Sequence, residues 1–106
     1  MAAITVDRQS PASPEMWRVN WSDQAIDDLD AITRYVRDFS PAAAARFELE
    51  LVAVAESLTS MPERGRMTDR GCREMTLTRP YIIRYVVVHD EVRILSIRHA
   101  ARRPLP

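Results

Sequence analysis

The feature that most restricts the fold of this 106-residue chain is residues 72–99, which read as three short strands in succession. Residues 81–88, YIIRYVVV, are the clearest of them, because β-branched and aromatic side chains favour strands. Asp90 and Glu91 predict a tight turn, so residues 92–98 should return antiparallel. Residues 73–78 are predicted to form the third strand. The C-terminal half therefore predicts a small antiparallel sheet.

The N-terminal half predicts one strand and two helices. Alternation over residues 16–21 indicates a half-buried strand. Ser22 is a favourable N-cap for a first helix, and Ser40-Pro41 begins a second one almost at once. Such a short connection requires the helices to fold back as an antiparallel hairpin. The apolar residues expected in the core are Ile26, Leu29, Ile32, Val36 and Phe39 in the first helix, and Ala44, Phe47, Leu51, Val54, Ala55 and Leu58 in the second.

The resulting order is strand, helix, helix, strand, strand, strand. It predicts an α+β domain of two layers, with the helical hairpin packed on a mostly antiparallel sheet. Residues 1–15 carry two prolines and no periodicity, so we expect a flexible extension before a domain of residues 16–106. Residues 63–71 contain both glycines and three arginines, and we expect a flexible basic surface loop there.

Composition narrows the class of protein. Cys72 is the single cysteine, so neither an internal disulfide nor a four-cysteine metal site can form. No apolar run approaches the roughly 18 residues of a membrane span, and the N-terminus does not resemble a secretory signal. We therefore expect a cytoplasmic protein without a metal or cofactor. All fifteen basic residues are arginine; residues 1–60 carry a net charge of −5 and residues 61–106 one of +5. The strand half can thus present a cationic surface to an anionic partner.

Several segments, in this order and at these distances, resemble the RelE/ParE superfamily of bacterial toxins. The segments are WSDQAIDDLDAITRYV, SPAAAARF, LTSMPERGR, GCREM and YIIRYVVVHDEVRILSIRHAARRP. The acidic pair before Leu29, the PERGR loop and the RHAAR ending are similar to the ParE branch. The resemblance implies a toxin of a type II toxin–antitoxin module, neutralised by a ParD-like antitoxin in a complex that can bind operator DNA. ParE-like members are associated with inhibition of DNA gyrase by binding, which requires no catalytic residues.

RelE-like members of the superfamily instead cut messenger RNA on the ribosome without a metal. That reaction requires a base, an acid and cations for the developing phosphate charge. The candidates for these roles are His99, Tyr85, Arg73, Arg84 and Arg98. The candidates for binding a target or antitoxin are Arg73, Arg84, Arg98, His99, Arg102 and Arg103.

The sequence departs from the RelE-like pattern at three places. Ile82 follows Tyr81 where those nucleases have a phosphate-binding arginine, the lysines of RelE have no counterpart, and no tyrosine follows the last strand. These departures favour a gyrase inhibitor. The ribosome-dependent ribonuclease stays open as the alternative, and so does a member that only binds its antitoxin or the DNA of the operon.

Overall fold

The chain forms a helical hairpin packed on one five-stranded sheet, as seen in a computed structural model. The structure describes residues 17–77 and 80–100. The elements are β1 (Arg18–Trp21), α1 (Asp23–Phe39), α2 (Pro41–Leu58), β2 (Arg66–Met67), β3 (Arg73–Thr76), β4 (Tyr81–Val88) and β5 (Glu91–His99). The extension expected over residues 1–15 lies outside the described residues, as do Arg102 and Arg103.

The strands lie in the order β1-β5-β4-β3-β2. Strand β1 pairs parallel with β5, and every other pair is antiparallel. This arrangement confirms the predicted α+β fold of two layers. The β4–β5 turn consists of His89 and Asp90, and not of the predicted Asp90 and Glu91, because Glu91 already pairs with Val88. His89 takes a positive φ of 55°, a conformation that a tight two-residue turn often requires.

One expectation for the connection after α2 is wrong. Residues 63–71 do not form only a surface loop, because Arg66 and Met67 make the edge strand β2 and pair with β3. Gly65 is buried, and a Cβ placed on it would lie 2.6 Å from the hydroxyl oxygen of Tyr85. Glycine is therefore required here by the close approach of a tyrosine ring to the backbone, and not by flexibility.

The two helices begin where the sequence predicts. The Ser22 hydroxyl accepts a hydrogen bond from the Ala25 amide at 3.0 Å, and the Ser40 hydroxyl accepts one from Ala43 at 3.1 Å. Pro41 occupies the first turn of α2, where its missing N–H is not needed. A single residue between the helices produces the antiparallel hairpin. Within the described ranges, neither helix has the length and apolar character needed to cross a membrane.

The core lies between α2 and the sheet. The predicted stripe of α2 is buried apart from Val54, which is partly buried and packs against it. The prediction for α1 is wrong at two positions, since Ile26 is 41% and Phe39 74% exposed. The buried residues of α1 are instead the small Ala25 and Thr33. Small residues allow α1 to approach its neighbours closely, which leaves the ends of its longer apolar stripe outside the contact.

Helix α1 is fixed to the sheet where β5 continues beyond β1. Strand β1 covers β5 only as far as Ile94. Past that point the Ser22 hydroxyl donates to the Leu95 carbonyl at 2.9 Å, and the Ile97 amide donates to Asp28 Oδ2 at 3.0 Å. Side chains from the start of α1 thus satisfy backbone groups that β1 does not reach, as exposed strand edges generally require.

Candidate functional site

The candidate residues lie on two opposite faces of the sheet. Successive side chains of a strand point to opposite sides, and directly paired residues share a side. One side, the helix face, carries the buried Tyr81, Ile83, Tyr85, Ile94 and Ile97. On the other side, the open face, no described helix packs. The open-face residues used below are Arg66, Glu74, Ile82, Arg84, Val86, Glu91, Arg93, Ser96 and Arg98.

Tyr85 is fully buried on the helix face. Its hydroxyl donates to the Pro62 carbonyl at 2.8 Å and accepts from the Gly65 amide at 2.8 Å. Burial raises the pKa of Tyr85 above its ordinary value, although the Gly65 hydrogen bond and the nearby Arg73 act in the opposite direction. A tyrosine acting as a base near neutral pH would need a lowered pKa. The position and bonding of Tyr85 are those of a structural tether.

Arg73 is paired with Tyr85 across β3 and β4, so it shares the helix-face side. Its Nη1 donates to the Gly65 carbonyl at 2.8 Å and to the Glu63 carbonyl at 3.2 Å. The Tyr85 hydroxyl and the Arg73 guanidinium therefore both form hydrogen bonds with the backbone of the same segment, residues 62–65. This segment leads directly into β2, which explains how a strand of two residues keeps its place at the sheet edge.

His99 also lies on the helix-face side, at the end of β5. It pairs directly with Tyr81, and the two rings meet edge to face with centroids 5.3 Å apart. The Tyr81 ring packs in turn against Phe47 of α2, at 5.2 Å. The histidine thus borders the aromatic end of the core, on the opposite side of the sheet from Arg84 and Arg98.

Arg84 and Arg98 belong to a cluster of charges on the open face, centred on Glu74. Arg66, Glu74 and Arg84 stand side by side on β2, β3 and β4. The Arg66 and Arg84 guanidinium groups each donate to the Glu74 carboxylate at 3.2 Å, and Arg98 Nη2 lies 3.8 Å from it. Only 12% of the Glu74 side chain is exposed, against 20% for Arg84 and 24% for Arg98. The sequence pattern drew attention to the arginines and not to Glu74, although Glu74 is the one acidic residue of β3.

The five residues considered for a ribonuclease are therefore not brought together. His99, Tyr85 and Arg73 lie on one side of the sheet, and Arg84 and Arg98 on the other. Arg102 and Arg103 lie outside the described residues. Across residues 17–77 and 80–100, no three histidine, cysteine, aspartate or glutamate side chains form a group that could hold a metal ion.

A second surface that the sequence did not indicate lies on α1. Tyr35 and Phe39 are 61% and 74% exposed, and their rings stack edge to face with centroids 5.0 Å apart. They are one helical turn apart, so they form a single aromatic projection. Large exposed apolar side chains of this kind commonly mark surfaces that contact other proteins.

Comparisons with known proteins agree on one family. The model of the ParE toxin of type II toxin–antitoxin systems, parDE, matches residues 19–104. "Toxin RelE2" of Caulobacter vibrioides is 47% identical over 87 residues, which cover 82% of this chain and 99% of that protein. "Putative toxin Y4kP" of Sinorhizobium fredii is 35% identical over 85 residues, or 78% of this chain and 88% of that protein.

A solved structure shows the same fold. A chain of the chromosomal ParDE toxin–antitoxin system from P. aeruginosa superposes with a TM-score of 0.68 at 30% sequence identity. The match covers 80% of this chain and 97% of that one. Sequence and structure thus point to the same family. This chain belongs to the ParE toxin family of type II toxin–antitoxin systems.

Proposed function

We propose that this toxin inhibits DNA gyrase by binding it, and that a ParD-like antitoxin neutralises the toxin. The observation that carries the proposal is the division of the ribonuclease candidates between two faces of the sheet. A general acid or base must come within hydrogen-bond reach of the group it serves. The Tyr85 hydroxyl instead lies in the core, already bonded to Pro62 and Gly65. Inhibition by binding requires no such arrangement.

The open face supplies a surface suited to a protein partner. Arg84, Arg93 and Arg98 alternate there with Ile82 and Val86 along two neighbouring strands. The planar guanidinium group of arginine also stacks on aromatic side chains of a partner, and the half-buried branched side chains add apolar contact area. Arg84 and Arg98 therefore remain the first candidates for binding the target or the antitoxin. Arg73 is a weaker candidate for binding a partner than Arg84 or Arg98, because its guanidinium already donates to two backbone carbonyls.

A supercoiling assay tests the target. Purified toxin added to gyrase and relaxed plasmid should block supercoiling and accumulate cleaved DNA. Arg84→Gln and Arg98→Gln should each weaken inhibition by about tenfold or more if these arginines lie in the interface. Arg34→Gln is the matched control, because Arg34 is an exposed helix residue whose ion pair among the described residues is with Asp30. Normal supercoiling at toxin concentrations far above that of gyrase would exclude the proposal.

A ribosome-dependent endoribonuclease is the second candidate, since the Caulobacter relative carries the name RelE2. Under this alternative, the toxin should cut messenger RNA in a translating extract. His99→Ala should then slow cleavage by roughly 10²-fold if His99 transfers a proton. Cleavage that proceeds unchanged in this variant would remove His99 from the mechanism, and intact messenger RNA would exclude the activity altogether.

The antitoxin partner has a test of its own. An antitoxin of the ParD kind should form a stable complex with this chain and restore growth to cells that express the toxin, and the complex should bind operator DNA. If the toxin is expressed without an antitoxin and growth is unaffected, the result would favour the third possibility, a member whose toxicity has been lost.

A further inference from the structure

The cluster at Glu74 resembles an anion-binding site in which the Glu74 carboxylate takes the place of the bound anion. Three guanidinium groups and one carboxylate leave a surplus of two positive charges. The Arg66 side chain is 72% exposed, whereas the other three side chains are mostly buried. Each guanidinium offers five N–H donors, whereas one carboxylate accepts about four hydrogen bonds. Donors therefore outnumber the lone pairs that Glu74 supplies, and Arg84 Nε is buried without a hydrogen-bond partner among the described residues.

The sheet sets the spacing of this cluster. The side chains of Arg66, Glu74 and Arg84 stand in one row across β2, β3 and β4. Direct neighbours in such a row are about 5 Å apart at their Cβ atoms. Arg98 joins from β5, where it is paired with Ile82, two residues before Arg84 on β4. The carboxylate is thus the centre of a ring of cations that come from three different strands.

We propose that Glu74 occupies an oxyanion-binding site formed by Arg66, Arg84 and Arg98, and that its carboxylate keeps nucleic-acid phosphates off the open face. A phosphodiester offers the same acceptor chemistry as a carboxylate and is bound by arginine in the same bidentate manner. In the wild-type toxin a phosphate entering the ring would meet the negative charge of Glu74. The site is consequently closed to phosphates by its own glutamate, although the cations needed to bind them are present.

Exclusion of phosphates by Glu74 would operate whether or not gyrase is the target. It explains how a chain with ten arginines in its second half, and no lysine at all, need not act as a nonspecific binder of nucleic acid. Such binding derives mainly from the neutralisation of phosphates by cations. A carboxylate at the centre of the cations lowers that contribution at the point where the arginines are most concentrated on the described sheet.

The decisive variant is Glu74→Gln, which keeps the shape of the side chain and removes its charge. Binding to a fluorescein-labelled single-stranded RNA of about twelve nucleotides is followed by fluorescence anisotropy at about 50 mM salt. The Kd of the variant for this RNA should be at least about tenfold lower than that of the wild type. The affinity should fall with salt with a log–log slope of about −2, as expected when three arginines each contact a phosphate of a single strand.

Two controls distinguish phosphate binding by these arginines from a general effect of removing one negative charge. Glu91→Gln removes a carboxylate from the same face, where Glu91 contacts Asn20 and one arginine, Arg93. This control should leave RNA affinity close to that of the wild type. Glu74→Gln combined with Arg84→Gln should lose the gain. The inference fails if Glu74→Gln binds RNA no better than the wild type, or if Glu91→Gln binds it equally well.

Repulsion among three arginines could prevent Glu74→Gln from folding, so a second variant is included. Combining Arg66→Gln with Glu74→Gln restores the surplus of two charges and retains Arg84 and Arg98. Inorganic pyrophosphate should raise the melting temperature of this variant, because a ligand that binds only the folded state stabilises it. The wild type should show a smaller shift. Equal shifts in both proteins would overturn the inference even if the single variant cannot be purified.

Discussion

Replacing Tyr85 with phenylalanine removes one oxygen atom from the inner side of the sheet and tests whether that tyrosine is structural. The ring stays in the core, but the Pro62 carbonyl and the Gly65 amide each lose a partner at 2.8 Å. A hydrogen bond of this kind contributes about 0.5–1.5 kcal/mol net, so two of them amount to about 1–3 kcal/mol. For a domain of this size, that loss corresponds to a decrease in melting temperature of roughly 5–15 °C.

Thermal and urea unfolding of the two proteins measure this difference directly. Tyr35→Phe is the matched control, because Tyr35 is 61% exposed and its substitution should change the free energy of unfolding by less than about 0.5 kcal/mol. Toxicity should decline in Tyr85→Phe only as far as the folded fraction declines. A variant that keeps wild-type stability and yet loses activity would refute the structural role and return Tyr85 to the list of catalytic candidates.

The pKa of Tyr85 adds a dependence on pH to the same experiment. Its pKa in the folded state is raised above the ordinary value of 10.0, so the folded state favours the protonated hydroxyl. The resulting stabilisation is fully present below the unfolded-state pKa and is lost as the pH rises through the folded-state pKa. The stability difference between wild type and Tyr85→Phe should therefore shrink above about pH 10. A difference that stays constant through this range would contradict the assigned environment.

Three further predictions follow from the same structure. Gly65→Ala should lower the free energy of unfolding by about 1–3 kcal/mol, because the new methyl group would lie less than 3 Å from the Tyr85 ring. Urea unfolding followed by circular dichroism measures this loss, and an unchanged midpoint would contradict the packing. Asp28→Ala should cost about 1–3 kcal/mol because the Ile97 amide loses its acceptor, whereas Asp28→Asn should cost less; equal losses would argue against that bond. The complex with a ParD-like antitoxin should weaken, without dissociating completely, as salt rises from about 0.1 M to 1 M, measured by calorimetry; complete insensitivity would exclude an interface on the cationic strand half.

The two candidate interaction surfaces differ in chemistry and in position. The open face combines arginines with branched apolar residues, whereas the outer side of α1 presents the aromatic pair Tyr35 and Phe39. A toxin that must bind both a target and an antitoxin can use separate surfaces for them or one surface in turn. Competition between gyrase and antitoxin for wild-type toxin, repeated with Phe39→Ser and with Arg84→Gln, would assign each surface to its partner.

Much of the fold was predictable because its determinants are local. Ser22 and Ser40 cap the two helices through their own side chains, and Pro41 suits the first turn of α2. Residues 81–88 are rich in side chains that favour strands. The short connection between the helices forces a hairpin, and one hairpin has one sheet to cover. Capping, propensity and loop length all act within a few residues, so they can be read from the order of amino acids.

The candidate site was decided by contacts between residues far apart in the chain. A strand assigns alternate side chains to opposite faces, so Tyr85 and Arg84 are neighbours in sequence and yet lie on different sides of the sheet. The extra residue of β5 opposite Arg84 and Tyr85 then determines which residues of that strand stand beside them. The sequence by itself determined the helices, the long strand and the supply of arginines. Only the tertiary structure decided that Tyr85 and Arg73 bind the segment of residues 62–65 and that Glu74 lies among three arginines of the open face, because pairing register and burial are set by the whole sheet.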